Sequence, residues 1–421
     1  MTTPAFGTAS EDRIRALVRA IPPFDEQAAA RARRRQDELT KPTGALGRLE
    51  ALAVQVAGIT GQERPRHDRR LVAVFAADHG VAVEGVSAYP SAVTGQMVRA
   101  FARGTAAVSV LARQANARLV VVDVGVASPL PPDLPILHRR IRNGTASFAT
   151  GPAMACAEAL AAMEIGVAVV EDALRDGLDL LALGEMGIGN TTAAAAVAAA
   201  LLALPPEAVV GRGTGVDDDG LARKRETVAR ALAANRPHRE DPVGVLAAVG
   251  GLEIAALAGA ILRAAVGRVP VVLDGFVVGA AALAARALAP SVGPSLIAAH
   301  RSPEPGHAPI LAALGLDPLL DFGMRLGEGS GAALALPIVA GALAAHDGMA
   351  TFAEAGVSGR EHADDTADGP AVKDRADRES TPKGADGPGG AGPCDNDAAD
   401  PLAPGARTES LRIPAPALKP R

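Results

Sequence analysis

Five short apolar runs punctuate the chain, at residues 71–75, 119–124, 178–183, 269–273 and 296–299. Each is nearly continuous where a half-exposed strand would alternate apolar with polar positions. That pattern predicts strands buried on both faces of a parallel sheet. Long alanine-rich stretches of helical length separate them, at 91–115, 152–176, 192–204, 221–235, 243–266 and 278–288. The alternation predicts an α/β fold in three layers, with helices on both faces of the sheet. Ahead of the first strand, residues 11–61 read as helical, broken at Pro22-Pro23 and at Lys41-Pro42-Thr43-Gly44 before 46–56 resume. They predict a small cap or a layer beside the sheet.

The pattern ends abruptly. From Val357 onward Asp, Gly, Pro, Ala and Lys dominate, and no Phe, Tyr or Trp occurs before Arg421. Such a segment cannot bury enough apolar surface to offset its ordering entropy. The expected organisation is therefore a helical segment over 1–61, an α/β unit over 62–356 whose last helices can join that segment, and a disordered tail over 357–421.

Composition narrows the picture. Hydrophobic residues make up 48% of the 421, yet aromatics are 2% and Trp is absent, so the core must be built from Ala, Val, Leu and Ile. A net charge of −5, with no basic patch interleaved with aromatics, argues against a nucleic-acid partner. Cys156 and Cys394 are too isolated for a disulfide framework or a thiolate metal site, which suits a reducing cytoplasm. Glu11, Asp12, Arg13 and Arg15 interrupt any signal-peptide core. Residues 186–206 and 329–345 are uncharged and long enough to raise a membrane question. Ala, Gly and Thr dominate both, and acidic residues bracket both (Glu185 and Glu207; Glu328 and Asp347), so both read as buried helices and no membrane partner is expected.

Polar and glycine residues gather directly after the apolar runs: Asp78-His79-Gly80, Asp123-Val124-Gly125, Gly184 to Thr192, Asp274-Gly275, and His300-Arg301-Ser302-Pro303-Glu304. In open parallel sheets ligands sit outside the carboxyl ends of the strands, so function is expected at that edge. Gly187-Ile188-Gly189-Asn190-Thr191-Thr192 opens an alanine-rich helix and suits either an anion on free helix-end amides or a plain turn capped by Thr191. It lacks the Gly-Lys-Ser/Thr of a Walker loop and the third glycine of a dinucleotide fingerprint. Gly327-Glu328-Gly329-Ser330-Gly331 sets one carboxylate among glycines, open to a flat substrate. Glu328 there is either a base poised between helix dipole and apolar pocket, or an exposed turn residue complementing the dipole. The run from His300 to His307 spaces its imidazoles poorly for zinc. It offers Ser302 and backbone amides to a phosphate, or is simply a Pro-rich loop. Asp78-His79-Gly80 fits a catalytic pair or a hydrogen-bonded turn, and Lys224 an anion ligand or a solvated helix lysine.

Together these segments resemble the nicotinate-nucleotide:dimethylbenzimidazole phosphoribosyltransferases. The likeness is carried, in order, by Leu39-Thr40-Lys41-Pro42-Thr43-Gly44-Ala45-Leu46-Gly47-Arg48-Leu49-Glu50, Ala77-Asp78-His79-Gly80-Val81, the Gly184 to Thr192 segment, Leu273-Asp274-Gly275-Phe276, His300-Arg301-Ser302-Pro303-Glu304, and Leu326-Gly327-Glu328-Gly329-Ser330-Gly331. The resemblance implies a Rossmann-like parallel sheet with a smaller helical domain from the chain ends, a homodimer, no cofactor and no metal. It implies transfer of phosphoribose from nicotinate mononucleotide to a benzimidazole base in cobalamin assembly, with Glu328 as general base. Tyr89, Ser91, Gln96, Met186 and Leu326 would form the substrate pocket, with Glu185 as a carboxylate in it. Gly187, Gly189, Asn190, Lys224 and Ser302 would hold the nucleotide. Two other readings fit the same residues: transfer to a purine or phenol, and a binding protein without catalysis.

If the tail reading is right, deleting the residues after Val357 leaves turnover within about twofold of the full chain, since no apolar packing is lost. A large loss in a side-by-side assay would contradict it.

Overall fold

The computed structural model describes residues 6–358, so the expected tail lies outside the described residues except for Val357 and Ser358. Six parallel strands form one sheet: β1 (Arg70–Ala77), β2 (Ala117–Gly125), β3 (Leu137–His138), β4 (Leu180–Met186), β5 (Val271–Leu273) and β6 (Leu296–Ala298). Their order is β3-β2-β1-β4-β5-β6. The chain steps outward in both directions from the β1–β4 pair, and that reversal opens a crevice at the carboxyl ends of the two strands. Their register sets Phe75 beside Glu185 and Ala76 beside Met186, so the segments after Ala77 and Met186 leave the sheet side by side.

Burial on both faces explains the continuous apolar runs. Leu71, Ala73, Phe75, Leu181, Leu183 and Leu273 face one layer, built chiefly from helices Cys156–Arg175, Asn190–Leu202, Leu252–Val266 and Phe276–Leu288. The alternate residues Val72, Val74, Ala76, Leu180, Ala182 and Val272 face the other, with helices Arg48–Thr60, Ala92–Ala102, Ala107–Gln114 and Ser330–Gly348. The helix Ser330–Gly348 is long and apolar enough to cross a membrane, but Leu336, Val339 and Leu343 are buried in this second layer. Helix Asn190–Leu202 is likewise buried along nearly its whole length.

The two ends of the described chain interlock. Arg35, on helix Glu26–Glu38, donates from Nε to the carbonyl of His346 (2.9 Å) and from Nη2 to those of Asp347 (3.0 Å) and Met349 (3.1 Å). A cation there satisfies the free carbonyls at the end of helix Ser330–Gly348 and opposes its dipole. Lys41 pairs with Glu50 at 2.8 Å, both largely buried, in the Lys-Pro-Thr-Gly break between two helices.

Three local expectations change. The 91–115 stretch forms two helices, because Gly104 adopts φ +74° between Ala102 and Ala107. The 243–266 stretch also divides, into Pro242–Val249 and Leu252–Val266, where Gly250-Gly251 leave helical geometry. Strand β3 adds to the expected five: two residues at a sheet edge carry no periodic signal.

An aromatic-poor core packs by close backbone approach. Helices Cys156–Arg175 and Leu252–Val266 cross where Gly166 and Gly259 lie. A Cβ at Gly166 would overlap the carbonyl oxygen of Ala256, and one at Gly259 that of Met163. Gly166→Ala should therefore destabilise the fold by about 1–3 kcal/mol, read from chemical denaturation, because backbone cannot yield as a flexible side chain would. An unchanged midpoint would mean the helices are not in this contact.

Candidate active site

The crevice between β1 and β4 opens into a cavity of about 620 Å³. Segments following β1, β4, β5 and β6 line it, together with the 325–328 turn and the loop around Gly213. Three buried carboxylates converge there, Glu185 from β4, Asp274 directly after β5, and Glu328, with the half-buried Glu304 also on the wall.

Glu328 sits in an unusual backbone. Gly327, Glu328 and Gly329 have φ of +80°, +65° and +87°, three successive left-handed residues. Glycine tolerates that region, whereas a glutamate there costs about 1–2 kcal/mol. The turn then enters helix Ser330–Gly348, and Ser330 Oγ donates back to the Gly327 carbonyl at 2.7 Å. Asp274 holds it from below: its carboxylate accepts from the backbone amides of Gly329 (3.1 Å) and Ala332 (2.9 Å). Glu328 is 6% exposed, and its Oε2 has no hydrogen-bond partner. Burial, reinforced by the charge of Asp274, raises its pKa to about 7. The exposed-turn alternative is thereby set aside.

Glu185 is raised further, to about 8, by burial and by the neighbouring carboxylates of Asp274, Glu253 and Glu328, against a stabilising bond from Asn190. Asn190 Nδ2 donates to Glu185 Oε2. The Gly187-Ile188-Gly189 turn is pinned by a bond from the Ile188 amide to Thr94 Oγ1 at 3.1 Å. Beneath it, His79 Nε2 and Glu253 Oε1 pair at 2.6 Å with both side chains fully buried. Gly187 has no room for a side chain, since a Cβ would overlap the carbonyl oxygen of Ala77.

A second polar group stands along the cavity. Lys224 is 1% exposed and donates from Nζ to Thr191 Oγ1 at 2.9 Å. Burial lowers its pKa to about 8, although Glu304 favours the charged form. Glu304 Oε1 accepts from the Gly213 amide at 2.8 Å, tying the 211–215 loop to the loop after β6. In that loop the Ser302 amide donates to His307 Nδ1 at 2.9 Å, and burial lowers the His307 pKa to about 4. The imidazole thus shapes the loop as a neutral acceptor. Among the described residues no group of three or more His, Cys, Asp or Glu is placed to hold a metal ion.

Of the residues singled out from sequence, Tyr89, Glu185, Met186, Gly187, Asn190, Ser302, Leu326 and Glu328 line the cavity. Tyr89 and Leu326 are 55% and 57% exposed, at its mouth. Lys224 stands behind Thr191 and Gly213. Thr191 does not cap its helix; the cap position belongs to Gly189, whose φ of +98° lets the chain turn over His79 and Val81. Ser91 and Gln96 are exposed and stand outside the cavity wall. Helix Ala92–Ala102 presents Val93 and Met97 to the cavity, while Gln96, their neighbour on the same helix, is exposed. Sequence reading also missed Asp274, His300 and Arg325 as wall residues. The first two lay in motifs already noted at strand ends, which was the available signal.

The raised carboxylates carry a stability consequence. A folded-state pKa above the free value of 4.5 means the native state keeps protons that the unfolded chain releases. That contribution is full below about 4.5 and is lost as pH rises through about 7 for Glu328 and about 8 for Glu185. Glu328→Gln should therefore be more stable than the parent at pH 8.5, on the order of 1–3 kcal/mol, and the gap should shrink toward pH 5. Denaturation curves at the two pH values test this; equal stability at pH 8.5 would mean Glu328 is well solvated.

Comparison with known proteins agrees with this geometry. A family model described as phosphoribosyltransferase matches residues 21–357. The nicotinate-nucleotide–dimethylbenzimidazole phosphoribosyltransferase of Chloroflexus aurantiacus (strain ATCC 29366 / DSM 635 / J-10-fl) is 55% identical over 347 residues, covering 82% of this chain and 99% of the relative. The protein of that name from Pseudomonas aeruginosa (strain PAO1) is 54% identical over 336 residues, covering 80% of this chain and 96% of its own length. The crystal structure of CobT from Thermus thermophilus superposes with a TM-score of 0.76 at 52% identity, covering 79% of this chain and 99% of that one. A sheet reversing at β1 and β4, a buried carboxylate at the cavity and similarity across nearly the whole described chain lead to one assignment: the chain belongs to the nicotinate-nucleotide–dimethylbenzimidazole phosphoribosyltransferase family.

Proposed function

We propose that the chain transfers the phosphoribosyl group of nicotinate mononucleotide to 5,6-dimethylbenzimidazole, releasing nicotinate and forming α-ribazole 5′-phosphate for cobalamin assembly. The observation that carries this reading is Glu328, a buried carboxylate with an unpartnered oxygen on the wall of a cavity large enough for a nucleotide and a flat base.

The chemistry asks little of the leaving group. When the C1′–N bond of the pyridinium nucleotide breaks, its electrons return to the ring nitrogen and neutralise it. The incoming benzimidazole is the harder partner, because attack through its lone-pair nitrogen leaves a cation unless the other nitrogen sheds its proton. Glu328 accepts that proton. With a pKa of about 7, a substantial fraction is ionised at neutral pH, and the conjugate acid is not too weak to form. Ionised carboxylate near the ribose also stabilises developing positive charge at C1′. Attack opposite the β-linked pyridinium inverts the anomeric centre. Holding two flat rings on either side of one sugar supplies further acceleration.

In this reading Tyr89, Val93, Met97, Met186 and Leu326 enclose the base. Glu185 stands as a carboxylate in the same substrate site, and Gly187, Gly189, Asn190, Lys224 and Ser302 hold the nucleotide. We assign no part of the wall to Ser91 or Gln96 in the conformation described. The reading further includes a homodimer, a cytoplasmic location, no membrane partner, and a smaller domain formed by the 1–61 helices with the last helices of the α/β unit. Arg35 and Gln36, which both reach the end of helix Ser330–Gly348, support the last point.

Glu328→Gln should lower kcat by about 10²–10⁴-fold while nicotinate mononucleotide binding stays within about threefold, because proton transfer is lost and the sugar loops are untouched. For the parent, kcat/KM should rise with pH and level off above an apparent pKa near 7. Near-normal turnover of the variant, or a limb near 4.5, would remove the base assignment. Nicotinate release should require the benzimidazole; binding without release would favour the non-catalytic reading, and competing purines or phenols would expose a different acceptor.

A further inference from the structure

Asp274 has entered so far through its two bonds to the Glu328 turn and its charge on the neighbouring carboxylates, yet its setting is unusual. It is 1% exposed, directly follows β5, and lines the cavity. Both carboxylate oxygens are committed to backbone amides at the start of helix Ser330–Gly348, Oδ2 to Gly329 and Oδ1 to Ala332. The residue before Gly329 is Glu328, whose φ of +65° no short-range bond of its own side chain maintains. On the other side, His300 Nε2 stands 3.8 Å from Asp274 Oδ1, too far for a direct hydrogen bond. The His300 ring is clamped by two glycines: a Cβ at Gly331 would overlap it, and one at Gly275 would lie 3.1 Å from Nε2. Gly275 follows Asp274 and Gly331 precedes Ala332, so one packed unit joins the ends of β5 and β6 to the turn that carries the base.

We propose that Asp274, with His300 packed against it, is a positioning residue: it locks the Gly327-Glu328-Gly329 turn in its left-handed form and so aims the Glu328 carboxylate into the cavity. A side chain on a loop needs such support, because a misplacement of about 1 Å can cost about a hundredfold in rate. The lock is rigid because Asp274 hangs from the sheet, not from the loop it restrains. Its charge also acts on Glu328, in a cavity whose wall carries Glu185 from β4, His300 and Glu304 after β6, and Arg325 on the turn's own segment. Replacing it by a neutral group should thus alter both where Glu328 points and how readily it ionises.

The inference rests on the reading of Glu328 as base, so both residues are tested together in the full-length chain. Asp274→Asn keeps the shape but turns one acceptor into a donor facing an amide. Its kcat should fall at least about tenfold with KM for both substrates within about threefold, and the acid limb of kcat/KM should move to lower pH by about half a unit or more. In a Glu328→Gln background the same change should add no further loss, because a misaimed side chain costs nothing once it is catalytically silent. Asp274→Ser, which retains one helix-end acceptor, should show the same pattern and serves if the asparagine variant does not fold. A kcat kept within about twofold, an unmoved acid limb, a KM rise at constant kcat, or loss of the fold in both variants would overturn the proposal. An active Glu328→Gln would instead remove the base assignment itself, a separable result.

Discussion

The contact between the Glu328 turn and the sheet is the constraint on which the site depends. At Gly184, on β4, an added Cβ would lie 2.5 Å from the carbonyl oxygen of Glu328 and 2.6 Å from the Gly329 Cα. Only a residue without a side chain lets that turn lie directly on the strand. The close approach places Glu328 beside Glu185 and Asp274, where burial, reinforced by like charge, keeps their protons on to unusually high pH. Left-handed backbone, missing solvent and like charge each oppose folding. They occur together where a proton acceptor near neutrality is useful, as expected when strain is concentrated at a functional site.

The surrounding fold makes that arrangement tolerable. Alanine and glycine dominate the helices against the sheet, and the Gly166–Gly259 crossing lets two of them meet backbone to backbone. A core of small residues leaves little slack, so the strand ends stand at defined separations. The sheet contributes the topology: reversal of strand order between β1 and β4 opens the crevice, and the segments after β1, β4, β5 and β6 form its rim. Distant parts of the chain then lock the rim. His79 meets Glu253 across 174 residues, and Gly213 meets Glu304 across 91.

Those long-range pairs mark the limit of what could be read in advance. The strands were legible because burial on both faces leaves a continuous apolar run, and the site's edge was legible because polar residues followed each run. Glu328 stood out by its glycine neighbours. Lys224 carried two readings, because on a charged helix a solvated lysine and a buried one look alike, and only the fold brings Thr191 to its amine. Asp274 was visible as part of a strand-end motif, but its two amide partners lie 55 and 58 residues onward. Gln96 was named through the family resemblance alone; in the conformation described its helix neighbours Val93 and Met97 line the cavity, which a sequence pattern could not single out before the fold fixed how that helix packs.

The central claim is that Glu328 is a buried carboxylate whose proton is lost near neutral pH. Infrared difference spectra of the resting protein across roughly pH 4 to 9, with the Glu328→Gln variant subtracted, report that ionisation without any turnover. The account predicts a carboxyl band assigned to Glu328 that disappears with a midpoint near 7. A band already gone by the ordinary carboxylate value of 4.5 would contradict it.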